Sequence, residues 1–167
     1  MNRYEKQVQV LQGLPVQRIG RAADLVWVMF GALRPRRVPR HADDVIGEWA
    51  VHIQCAWRFS HGDVIVLGRS DLNLKAQADE PYDWEAKGES RFDRIAATLN
   101  DSFAADSALV TAVSVDEVGG FSLSFSNGFR LSVFPDDSGG SAYSEDYRIF
   151  QPDRESVHFV VPAPQSE

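Results

Sequence analysis

The chain has almost no cysteine, no long apolar run and no surplus of positive charge, and each shortage closes off a class of protein. Cys55 stands alone, so no internal disulfide can form, and a reducing compartment is the natural setting. Nowhere do the ~18 consecutive apolar residues of a membrane-spanning helix occur. The opening stretch MNRYEKQVQVLQ is polar and carries no apolar signal region, which makes the cytoplasm the expected location. A net charge of −7 opposes general binding to nucleic acid. The four histidines and the cysteine show no metal-ligand spacing. The acidic loop 79–89 lacks the Asp-x-Asp-x-Asp-Gly spacing of a calcium loop, and no Gly-rich phosphate cradle lies beside the arginines of 34–41. No catalytic residue, metal or cofactor is assigned on these grounds.

What is present is the material of one soluble globular domain, 1–167. At 167 residues the chain can bury a substantial single core, with 1–13 and 162–167 expected to be loosely ordered. Charge is uneven along it. Residues 1–40 hold eight Lys or Arg against two acids, a net of +6, and the remainder holds nine against twenty-two, a net of −13. A polarised surface of this kind can steer a charged partner.

The chain is organised around residues 47–72, GEWAVHIQCAWRFSHGDVIVLGRSDL. Trp49, Val51, Ile53, Cys55, Trp57 and Phe59 alternate with a mostly polar set, the pattern of a strand with one face in the core. Ser60–Asp63 is a turn cluster and Val64 begins a return strand. Closing the turn about His61 and Gly62 pairs Trp57 with Val66, and sets Gln54 opposite Arg69 and His52 opposite Asp71. His52, Gln54, Arg69 and Asp71 then form a candidate ligand or partner face. A histidine opposite an aspartate is the arrangement of a general base with its orienting carboxylate. It is equally a cross-strand charge pair contributing roughly 0.2–1 kcal/mol. No nucleophile or oxyanion donor stands beside it, so it is given no catalytic role.

GEWAVHIQCAWRF followed by GRSDL resembles the signature of an uncharacterised family of bacterial proteins, with patterns close to GEYALHxQCPWR. SRFDRIAATLN, FSNGFRLSVFPDDS and YRIFQP are similar to that family as well, so the resemblance covers most of the chain. Ala56 departs from it where proline is common, and Tyr147 where tryptophan is. The resemblance implies kinship of fold. It brings no established activity and no catalytic residues.

Pro15–Ile19 and Asp24–Phe30 read as strands, the second so continuously apolar that it is expected to be a buried central one. The run RPRRVPRH, 34–41, has too much proline for a helix or central strand. It reads as an exposed loop whose Arg34, Arg36, Arg37 and Arg40 are candidate anion contacts, or as a solvated loop balancing an acidic protein. The acidic loop 79–89 embeds Tyr82 and Trp84, either to receive a cationic group or to pin the loop to the core. Ser90–Phe103 predicts the one main helix, about 90–104. Ser90 and Asp93 stand at capping-box spacing, and Phe92, Ile95, Ala96, Leu99 and Phe103 recur as one apolar stripe. Around Asn127–Gly128, a three-residue loop with a left-handed glycine pairs Leu123 with Leu131 and Phe121 with Val133, keeping the apolar residues on one face. Asp146–Phe150 and Val157–Val161 are expected as short closing strands.

The fold class is therefore α+β: a curved or two-layered antiparallel sheet of about nine strands with one main helix packed on it. Its expected core holds Trp27, Phe30, Trp49, Ile53, Trp57, Phe92, Ile95, Leu99, Phe121, Leu123, Phe125 and Phe134. The function expected is a non-enzymatic, soluble binding or protein-interaction domain. The alternative is a small enzyme or small-ligand-binding module using the polar face of the 47–72 hairpin. A protein partner or a homodimer through an edge strand is open; nucleic acid ranks last, and no membrane association is expected.

Overall fold

The alternation from Trp49 to Phe59 turns a corner halfway along. In the computed structural model, which describes residues 1–76, 83, 86–141 and 143–162, one strand ends at Ile53 and the next begins at Ala56. The amides of Gln54 and Cys55 both donate to the carbonyl of Asp146, at 2.7 and 3.1 Å. The chain thus leaves one sheet and enters another without a loop. Ile53, Cys55 and Trp57 stay buried throughout, so the apolar parity survives the bend.

The first sheet takes β1 (Val16–Ala22), β2 (Leu25–Phe30), β5 (Trp49–Ile53), β11 (Tyr147–Phe150) and β12 (Phe159–Val161), in that spatial order. The second takes β7 (Val64–Gly68), β6 (Ala56–His61), β10 (Phe129–Phe134), β9 (Phe121–Phe125) and β8 (Val110–Val115). A two-stranded ribbon, β3 (Arg34–Pro35) with β4 (Val45–Ile46), lies outside both. All neighbours are antiparallel. The α+β class holds. The single sheet of about nine strands does not, because the corner and the ribbon divide the described strands among three sheets.

One core lies between the two large sheets. Val28, Phe30, Val51, Ile53 and Ile149 face it from the first, and Trp57, Phe59, Leu123, Phe125 and Leu131 from the second. Tyr147, fully enclosed, meets Phe121 across it with ring centroids 5.0 Å apart, and its hydroxyl donates to the Gly119 carbonyl at 2.7 Å. That bond satisfies a polar group the core would otherwise strand.

Helix α2 (Arg91–Asp106) closes the side where β1 and β7 stand. The Ser90 hydroxyl accepts from the Asp93 amide at 3.0 Å and the Asp93 carboxylate accepts from the Ser90 amide at 3.3 Å, completing the expected capping box. Phe92, Ala96, Leu99 and Phe103 are buried, while Ile95 is half-buried. From the same helix the Asn100 side chain accepts the Ile19 amide at 2.8 Å and donates to the Ile19 carbonyl at 3.0 Å. It occupies on β1 the place of a neighbouring strand's peptide group, and so blunts the edge.

The bulged turn between β9 and β10 is present as expected. Leu123 pairs with Leu131 and Phe121 with Val133, and Gly128 sits at φ +87°, where a side chain is strained. The opening residues differ from expectation. Residues Arg3–Val8 form α1, capped by Asn2, and a 3-10 turn follows over Gln9–Leu11. Val8 and Leu11 are both at 0% exposure, so this segment is anchored by apolar burial rather than loosely docked. Residues 163–167 lie outside the described residues, as do Tyr82 and Trp84 of the acidic loop.

Two expected core residues are displaced. Phe134 is 42% exposed beneath the Arg58 guanidinium. β2 is central in its sheet but buried on one face only. Val26, Val28 and Phe30 point inward, and Leu25, Trp27 and Met29 point out.

Candidate functional site

That outward face of the first sheet carries the candidate site. Strand register places Trp27 opposite His52 and His52 opposite Arg148, with Met29, Ala50 and Phe150 in the next row. Positions directly opposite in a ladder share a face, so these side chains stand together. The Trp27 indole lies across Gly20 of β1, where a Cβ would come within 2.1 Å of it. Glycine there is what lets the indole lie flat on the sheet. The ribbon β3–β4 and its loop rise beside this face, enclosing a cavity of about 410 Å³ lined by Leu25, Trp27, Met29, Ala50, His52 and Phe150, with Arg36, Arg40, His41 and Asp44 from the loop.

The ribbon is braced by charge. Arg36 Nε donates to Asp44 Oδ2 at 2.8 Å, and the same oxygen accepts the Arg40 amide at 2.9 Å. The Arg40 amide first, then Arg36, hold the Asp44 carboxyl below the usual carboxylate range. Arg34 donates to the Pro152 carbonyl at 2.7 Å, and Asp153 lies within 3.8 Å of Arg34 and 3.9 Å of Arg36. The Arg37 amide also donates to Asp153. Of the four arginines considered as anion contacts, Arg34 and Arg36 are therefore tied to carboxylates of this chain, while the side chains of Arg37 and Arg40 are exposed.

His52 reaches the cavity, but without the companions the hairpin register gave it. The strand pairing runs Phe59 with Leu67 and His61 with Val64, with a bulge between Phe59 and Ser60, so Trp57 does not meet Val66. Residues before the corner belong to the other sheet altogether. Asp71 sits in a 3-10 turn, Arg69–Asn73, accepting the Gly68 amide at 2.8 Å and Arg91 Nε at 3.1 Å. Arg69 reaches the Cys55 carbonyl at 3.4 Å, and Gln54 is exposed at the corner. The four residues do not form one face, and the His52–Asp71 pair does not exist.

The surroundings of His52 are aromatic and basic. Its ring stands edge-on to Phe150 at 4.7 Å, and Phe150 stacks on His158 at 4.5 Å. Arg148 lies 3.1 Å from His158 Nδ1 and forks onto Glu145. Burial first, and the Arg148 charge second, push the His52 imidazole down to about 4. The unfolded chain therefore takes up a proton, between its own value of about 6.5 and the folded value, that the fold refuses. This contribution to stability is whole above the unfolded value and is lost as pH falls toward the folded one. Between about pH 7.5 and about pH 4.5, the wild type should lose about 1–2 kcal/mol more than His52→Gln, after allowance for solvent screening. Urea titrations at the two pH values measure this, and equal losses would show that His52 is not held neutral.

Cys55 is no reactive thiol. Burial, then the neighbouring Asp146 carboxylate, push it up to about 12, so it stays protonated at neutral pH. Among the described residues no group of His, Cys, Asp and Glu is arranged to hold a metal ion, and no helix is long and apolar enough to cross a membrane.

Trp27, Met29, Ala50 and Phe150 were not marked as site residues by the sequence. Leu25, Trp27 and Met29 alternate with residues just as apolar, so periodicity cannot say which set faces the core. No family model, curated protein or solved structure matches the chain.

Proposed function

We propose that the chain is a binding domain rather than an enzyme, and that the cavity over the outward face of the first sheet receives a small, largely apolar molecule. The observation that carries this reading is the make-up of the cavity floor. Leu25, Trp27, Met29, Ala50 and Phe150 line it, on the face of the sheet turned away from the core. Apolar side chains gathered in a concavity, with a few polar groups at its rim, are the usual form of a small-ligand site, and about 410 Å³ lies in the usual range for one. The histidine in the floor argues against proton-transfer chemistry. At about 4, its imidazole is neutral but too weak a base to match a reaction near neutral pH.

A neutral, environment-sensitive probe, N-phenylnaphthylamine, tests this directly. It should bind saturably at one site per chain, and Ala50→Phe, which fills the floor between Met29 and Phe150, should abolish binding. If Ala50→Phe does not fold, Ala22→Trp at an exposed position on the cavity's lining serves the same purpose. Probe binding that neither substitution weakens would sink the proposal.

A further inference from the structure

The mouth of the cavity is built differently from its floor, and the difference bears on what kind of molecule the proposed site takes. Arg36, Arg40 and His41 reach it from the ribbon loop, and Asp44 is the one carboxylate among its described lining residues. That carboxylate is already committed. It accepts from Arg36 and from the Arg40 amide, with its side chain only 8% exposed. Arg36, placed between Asp44 and Asp153, is neutralised and serves as a brace. Arg40 is held at its backbone by the same Asp44 oxygen, yet its guanidinium has no partner among the described residues. In a chain of net charge −7, an uncommitted cation at the rim of an apolar cavity favours a ligand of opposite sign.

We propose that the ligand is an amphipathic anion, with an apolar body seated on Trp27, Met29 and Phe150 and a carboxylate, sulfonate or similar group presented to the Arg40 guanidinium. This rests on the cavity reading above and adds the charge of the ligand to it. A guanidinium suits such a group because its planar fork can give two parallel hydrogen bonds to two oxygens. A cationic ligand would find only Asp44, which would have to release Arg36 first. A neutral one would leave Arg40 unused.

A matched pair of probes separates the two claims. N-phenylnaphthylamine and anilinonaphthalene sulfonate share one aromatic body and differ in the sulfonate. The wild type should bind the sulfonate about 5–30-fold more tightly, as expected for one partly exposed charge-assisted contact. Arg40→Gln should erase that difference. Ala50→Phe should abolish binding of both. If the neutral parent does not bind, the cavity reading itself falls. If both probes bind the wild type equally, or Arg40→Gln leaves the sulfonate's advantage intact, the cavity reading stands and the anion is wrong. Sulfonate binding that survives Ala50→Phe would place it elsewhere on the surface and likewise overturn the proposal.

Discussion

Phe103→Ala is expected to destabilise the protein by about 3–5 kcal/mol, the largest single loss anticipated for this chain. Phe103 is 1% exposed and lies where helix and second sheet meet. Its ring centroid is 6.2 Å from Phe59, 6.0 Å from Phe125 and 6.2 Å from Phe129. Truncation removes the side chain that all three strands pack against. β6, β9 and β10 are hydrogen-bonded to one another, so they cannot collapse inward to fill the gap, and a cavity term adds to the lost transfer energy. For a domain of this size the melting temperature should fall by roughly 6–20 °C. Differential scanning calorimetry reads this out. A drop of only a few degrees would mean that α2 repacks and that the ring cluster is less specific than its geometry suggests.

Asp93→Asn should cost about 3 kcal/mol near neutral pH, because it breaks an enclosed ion pair and weakens a helix cap together. Asp93 receives Arg21 through Nε and Nη2, both at 2.8 Å, and also accepts the Gly88 and Ser90 amides. The pair's side chains are 6% and 14% exposed, so removing the charge leaves Arg21 half-satisfied away from water. Burial alone would raise the Asp93 carboxyl. The Arg21 fork and the Ser90 amide more than offset it, and the carboxyl is held below its ordinary value. A depressed carboxyl stabilises the fold fully above the unfolded value of about 3.9, and its contribution is lost as pH falls through the folded value. The gap between wild type and Asp93→Asn should therefore narrow in acid. Urea unfolding near neutral pH and near pH 3 measures it, and a gap independent of pH would show that the charge of Asp93 carries none of the loss.

The sequence was most legible where the determinants are local. Ser90 and Asp93 are three residues apart, and Phe92, Leu99 and Phe103 fall on one helical stripe, so α2 could be read with its cap. Gly128 supplied the left-handed position that a three-residue loop needs, and the Leu123–Leu131 pairing followed. The corner at Gln54–Cys55 left no such mark. The buried parity continues through it, and its cause, the Asp146 carbonyl, lies far along the chain. The site was illegible for a similar reason. His52 could be singled out from its strand, but its neighbours Trp27, Phe150 and Arg148 come from strands that only the sheet order brings beside it. Arg34 and Arg36 looked free because Asp153, which lies near both, is equally remote.

That corner also governs how the molecule comes apart. β5 and β6 are one length of chain belonging to two sheets, and the residue that receives their junction, Asp146, leads directly into β11. A fluctuation that frees β11 from β5 also releases the anchor at the start of β6, so damage to either layer is passed to the other. The two sheets are thus fastened at one junction, where opening in one is coupled to opening in the other. The floor of the cavity rests on β2, β5 and β11, while the loop bearing Arg40 is held to the rest of the molecule through Asp44 and Asp153.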